Sequence, residues 1–235
     1  MKVIKDRAIV LKTRRPHLIT EQIKNYKILK EEQGVYKLAL RWDLHEAQVL
    51  AALQVKGVPS PIMRDYAWLG KHQPFEHQKE TSAFLTLHKK AFCFNEQGTG
   101  KTASVIWAVD YLMQQGKVKR VLVICPLSIM KSAWQEDLFK FAMHRTCSIA
   151  YGTPVRRKKI LNANAEFVII NFDGVAVVKD EIMKGGFDII VIDEANAYKN
   201  TQTNRWKTLR DIVADVSWLW MLTGTPAAQS PVDAF

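Results

Sequence analysis

From Ala91 onward the chain alternates short, largely apolar runs with longer stretches in which apolar side chains recur every three or four positions. The apolar runs are Ala91–Phe94, Arg120–Cys125, Thr146–Ala150, Phe167–Asn171, Asp188–Ile192 and Ser217–Leu222. Each has strand length, and the stretches between them have the spacing of helices. Strands apolar at nearly every position are buried on both faces. The repeat therefore predicts an α/β fold with a mostly parallel sheet covered by helices on both sides. In such sheets ligands bind at the carboxyl ends of the strands. No apolar run approaches the length that spans a bilayer, so no membrane partner is expected.

Residues 1–70 read differently, as a small α+β module separate from the region 71–235. Val3 to Leu11 has strand content, and Thr20 to Lys30 reads as a helix with Thr20 as its N-cap. Gly34 to Arg41 alternates as a half-buried strand does. Asp43 opens a helix to Val55, with Glu46 placed as a capping-box partner and Lys56-Gly57 as its end. Val58-Pro59-Ser60-Pro61 reads as a linker.

Charge adds a candidate partner. The net charge is +11, and residues 1–71 hold 14 basic against 7 acidic side chains. An excess this large suits a polyanion, most simply nucleic acid. The run Arg156-Arg157-Lys158-Lys159 reads first as a solvated basic face, and Trp42 as a core residue or, less simply, a base-stacking one. Trp218 and Trp220 read as core. Cys93, Cys125 and Cys147 form no metal-binding pattern and are expected to be buried free thiols. With no signal-peptide core at the N-terminus, cytoplasmic residence is the default expectation.

The chemistry concentrates at strand ends. Asn95-Glu96-Gln97-Gly98-Thr99-Gly100-Lys101-Thr102 lies between a strand and a helix, where a phosphate-binding loop belongs. Gln97 to Gly100 would aim backbone amides at the phosphates of ATP, and the helix N-terminus adds partial positive charge. Lys101 would reach the β- and γ-phosphates, and the Thr102 hydroxyl would ligate Mg2+. Asn95 stands where the general pattern has glycine, and it tolerates left-handed backbone better than most residues. Ile189–Ile192 then delivers Asp193 and Glu194. Asp193 is placed to hold Mg2+, and Glu194 to orient and deprotonate the attacking water. Leu222-Thr223-Gly224-Thr225-Pro226 puts the hydroxyls of Thr223 and Thr225 at another strand exit, suited to coupling. Upstream, Gln78 can read the edge of adenine, with Phe75 packing nearby.

Together these motifs resemble the first RecA-like lobe of superfamily 2 helicases and translocases, nearest the Swi/Snf-type DNA-dependent ATPases, in a phage- or bacteria-like form. Gln78 matches the adenine-reading motif and Gly98–Thr102 motif I. Cys125-Pro126-Leu127-Ser128, followed by Trp134, matches motif Ia. Ile170-Asn171-Phe172-Asp173 sits at the next strand-end motif, Asp193–Asn196 at motif II, and Leu222–Pro226 at motif III. The resemblance covers about residues 75–235. It implies a P-loop RecA-like lobe that uses ATP and Mg2+ and acts on DNA, with RNA as the alternative substrate and a non-motor binding module as the alternative class. It implies nucleic-acid contacts by Pro126, Ser128, Asn171 and Phe172. Asn196 departs from the family's fourth box residue, which puts coupling to motif III in question. The family's second lobe is expected to lie beyond this chain, which leaves this lobe a poor ATPase on its own.

Overall fold

The computed structural model describes residues 1–224, so Thr225 and Pro226 lie outside the described residues. Two compact units are present. One comprises Met1–Ala67 and Ala83–His88, the other Trp68–Ser82 and Lys89 onward.

The first unit is built on an antiparallel sheet of order β1-β2-β4-β3. The strands are β1 (Lys2–Ile4), β2 (Ala8–Thr13), β3 (Tyr26–Glu32) and β4 (Val35–Arg41). Helices α1 (His17–Thr20), α2 (Leu44–Ala52) and α3 (Ile62–Asp65) complete it. Three expectations change here. Val3 to Leu11 is a hairpin, not one strand, because Lys5 and Asp6 both take positive φ and turn the chain. Thr20 ends the single helical turn α1 instead of capping a helix, and the run after it turns and enters β3. Gln33 and Gly34, at φ of 51° and 73°, form the two-residue turn that folds β3 onto β4. All seven residues of β3 are exposed, including Tyr26, Ile28 and Leu29. With neither face buried, the strand carries no period-2 signature. Finally, α2 starts after Asp43 without a side-chain cap. Asp43 pairs instead with Arg41 at 2.6 Å, and Glu46 is buried. The core gathers Ile9, Ile23, Leu38, Leu40, Trp42 and Leu50. Trp42 donates its indole N–H to the Pro59 carbonyl at 2.9 Å beneath the Arg64 guanidinium, so it is a core residue rather than an exposed stacking platform.

The second unit holds a six-stranded, all-parallel sheet of order β5-β10-β9-β6-β8-β7. Its strands are β5 (Lys90–Cys93), β6 (Val121–Cys125), β7 (Cys147–Ile149), β8 (Phe167–Asn171), β9 (Ile189–Asp193) and β10 (Trp218–Leu222), each within two residues of the run expected at either end. Every residue of β6, β8 and β9 is buried, so both faces of the central sheet are covered. One face packs Leu122, Ile124, Ile170 and Ile192 against α7 (Pro154–Leu161), α8 (Phe172–Val177), α9 (Lys179–Lys184) and α10 (Asn204–Val213). Helix α4 (Glu76–Leu87) precedes β5, and α5 (Lys101–Gln114), buried from Ala103 to Leu112, follows it. Helix α6 (Glu136–Phe141) contacts α5. Trp218 and Trp220 are buried.

A charged network ties α5 to the β7 side of the sheet. Asp110, fully buried on α5, accepts from Arg145 Nε at 2.6 Å and pairs with His144 at 2.8 Å. Arg145 reaches on to Glu166 at 2.7 Å, and Glu166 also accepts from the Thr146 amide at 2.8 Å. Burial alone would raise the Glu166 carboxyl, but these donors outweigh it and hold it below its ordinary value. Cys93 and Cys125 are buried free thiols, and Cys147, also free, is partly buried, with burial pushing its thiol up to about 11.

Candidate active site

Parallel register assembles the site. Leu222 of β10 lies opposite Cys93 of β5 on one side and Asp193 of β9 on the other. The chain leaves these three strands at the same level. The loop after β5, the acid pair after β9 and Thr223-Gly224 after β10 therefore emerge side by side, neighbouring strands being ~4.8 Å apart. Thr223 reinforces this, its amide donating to the Cys93 carbonyl at 3.1 Å.

The loop after β5 enters α5 through Gly100, at φ 79° and ψ 33°, a left-handed conformation that favours glycine. A Cβ there would also strike the Gln78 amide and displace it from the loop. Gly98 shares the positive φ in open surroundings. Lys101 Nζ donates to the carbonyls of Asn95 at 2.8 Å and Glu96 at 2.9 Å, which folds the side chain back over its own loop. Thr102 sits half-buried in the first turn of α5. Asn95 does not use the left-handed backbone expected of it. Its side chain instead donates to Thr81 Oγ1 of α4 at 2.9 Å, a tether that glycine could not make.

Gln78 braces the loop from α4. Its Nε2 donates to the Thr99 carbonyl at 3.1 Å, and its Oε1 accepts from the Phe75 amide at 3.0 Å. His77 also lies within 3.0 Å of the Thr99 carbonyl and stacks on Phe75, whose ring is 68% exposed. Phe75 thus offers an open aromatic face beside the loop. Sequence reading missed His77 because a lone histidine at a helix start carries no signal.

Asp193 is buried, and burial raises its carboxyl. The Trp134 indole, 3.0 Å from Oδ2, and the charge of Lys101 act against that rise. Oδ1 accepts from the Glu194 amide at 3.0 Å. Glu194 is itself left-handed, at φ 56° and ψ 56°, a strained backbone for a residue with a Cβ and one that concentrates at functional sites. Beside it Gly224 lies so close to the loop that a Cβ would come within 2.8 Å of Gln97 Cγ and 3.2 Å of its amide nitrogen.

The other strand exits lie at the same end of the sheet, Cys125 of β6 being in register with Asn171 of β8. Pro126 is half-buried and Ser128 exposed on the turn after β6. Asn171, expected to face a nucleic-acid backbone, is buried, and its Oδ1 accepts from Arg157 Nη1 at 3.0 Å. Phe172 packs edge-on against Tyr198 with the Arg205 guanidinium over its ring. Arg157 is no part of a solvated basic face. Buried, it also donates to the Ala150 and Gly152 carbonyls at 2.6 and 3.0 Å. Lys158 beside it pairs with Glu181 at 2.6 Å.

The family model of the SNF2-related domain matches residues 22–235. The chain belongs to the SNF2-related family. Among similar proteins, the uncharacterized ATP-dependent helicase YqhH of Bacillus subtilis is 24% identical over 195 residues, covering 79% of this chain and 32% of that protein. A SWI/SNF-related matrix-associated actin-dependent regulator of chromatin subfamily A-like protein 1 of Drosophila melanogaster is 21% identical over 217 residues, covering 81% of this chain and 27% of that one. The chain thus spans about a third or less of the length of the curated relatives it matches. In structure, it resembles the Sulfolobus solfataricus SWI2/SNF2 ATPase core in complex with dsDNA, with a TM-score of 0.61 and 27% identity over 71% of this chain and 35% of that one. The SNF2-related sheet described above is the RecA-like fold of that ATPase core. The family match begins at Gln22, well upstream of the motifs, and takes in most of the first unit.

Proposed function

We propose that this SNF2-related lobe binds ATP with Mg2+ and hydrolyses it to drive movement of a longer protein along DNA. The observation that carries the reading is the register of β5, β10 and β9, which brings the Lys101 loop, Thr223-Gly224 and the Asp193–Glu194 pair to one edge.

The loop amides and the N-terminus of α5 would hold the phosphates. Lys101 would leave the Asn95 and Glu96 carbonyls for the β- and γ-phosphates, so loop rearrangement accompanies binding. Phe75 is open to cover the base. Gln78, already engaged at both ends of its amide, acts first as the brace of the loop. The Thr102 hydroxyl and Asp193 carboxylate are the hard oxygen donors that Mg2+ prefers. Two donors occupy Asp193, leaving roughly half of its four lone-pair positions for a metal or its waters. The ion supplies charge neutralisation on the phosphates. Glu194 would orient the attacking water and take its proton. Thr223-Gly224, with Gly224 close to Gln97, would sense the γ-phosphate, with Thr225 next in sequence. On the DNA side, exposed Ser128 and half-buried Pro126 are better placed for backbone contact than Asn171, and the surplus of positive charge supports a polyanion.

Titration calorimetry with MgATP, beside hydrolysis assays with and without duplex DNA, tests this. Lys101→Ala should weaken nucleotide binding ~10-fold or more, the scale of a lost hydrogen bond to a charged group. Glu194→Gln should bind nucleotide normally and lower any turnover by ~10²–10⁴. Failure of the unaltered chain to bind MgATP rejects the proposal.

A further inference from the structure

The turn after β6 carries a tryptophan that reaches into the acid pair. Met130–Gln135 forms a π-helical turn, a local widening found often at functional positions. It seats Trp134 with its ring fully buried and its indole N–H on Asp193 Oδ2 at 3.0 Å. Trp42 and Trp107, also buried, hand their N–H groups to the backbone carbonyls of Pro59 and Leu69. Trp134 gives its own to a carboxylate. The Glu194 amide holds the other oxygen at 3.0 Å, so the two donors clamp the carboxyl group at both ends and fix its rotation. The tryptophan stands 59 residues from Asp193 in sequence, and the turn bearing it begins just after Ser128, whose carbonyl accepts from Ser132 Oγ at 3.2 Å.

We propose that Trp134 is a positioning residue that sets the Asp193 carboxylate to receive the Mg2+ of bound nucleotide. A core tryptophan placed only for its volume would need some acceptor. It would not need a carboxylate that lies close enough to the nucleotide loop to feel the charge of Lys101. The inference rests on the nucleotide reading above, and its test separates the two.

The full chain labelled with 15N is followed by NMR through its indole N–H and backbone amide resonances while ADP is added, first with EDTA and then with Mg2+. ADP should shift the amides of Gly98, Gly100 and Thr102 under both conditions. The Trp134 indole should shift only when Mg2+ arrives, because only then does a cation draw charge from its acceptor. An indole unmoved by Mg2+, while the loop amides respond, overturns the role of Trp134 and leaves the nucleotide site standing. Loop amides unmoved by ADP overturn the nucleotide reading and this inference with it. In a second arm, Trp134→Phe should leave Mg2+-free ADP affinity unchanged and cut the Mg2+-dependent gain by about tenfold, the scale of a hydrogen bond to a charged group. An unchanged gain in a folded variant contradicts the proposal. The indole measurement on the unaltered chain decides if the variant does not fold.

Discussion

At the scale of single residues, strain and tethering account for what composition does not. Glu194 keeps a left-handed backbone that costs a residue with a side chain about 1–2 kcal/mol. Asparagine tolerates that conformation better, so Glu194→Asn should raise stability by up to about 1 kcal/mol. It should also abolish turnover, since its amide cannot accept a proton. Thermal melting and an ATPase assay on the same preparation check both. Asn95 teaches a related point. Its departure from glycine concerns the Thr81 tether, not backbone conformation, and nothing local in sequence marks a partner on the preceding helix.

At the scale of elements, the central strands β6, β8 and β9 were readable because burial on both faces keeps them nearly all apolar. Their register was not readable, yet register is what unites the site. Strand β3 was misread for the opposite reason, being exposed at every position and so lacking any period. Arg157 was misread because a charge run hides which member turns inward. The Arg145–Glu166 pair shows how such buried charges bear on stability. The folded state holds the Glu166 carboxyl below its ordinary value of 4.5. Its contribution is therefore complete above that pH and fades as pH falls through the lower folded value. Glu166→Gln should cost about 1.5–3 kcal/mol at neutral pH, the range of a hydrogen bond to a charged partner. The gap from the unaltered protein should begin to narrow below pH 4.5 and close as pH falls through the lower folded value. Urea melts at pH 7 and at a series of pH values below 4.5 follow that loss.

At the scale of the whole molecule, the net charge of +11 predicts how DNA affinity responds to salt. If lysines and arginines meet several phosphates, affinity should fall on the order of 10- to 1000-fold between about 50 and 200 mM salt. Fluorescence anisotropy with a labelled duplex would measure that slope, and a flat profile would argue against backbone contact. The misread strand has its own bearing on association. Strand β3 ends its sheet with Tyr26, Ile28 and Leu29 open to water, and interleaved Lys27 and Lys30 are the kind of residue that keeps such a rim from zipping onto another molecule. Replacing both lysines with valine should shift the protein toward larger species than the unaltered chain forms, seen by light scattering at rising concentration. Solubility, on this view, is guarded by two ammonium groups on a single ribbon of backbone.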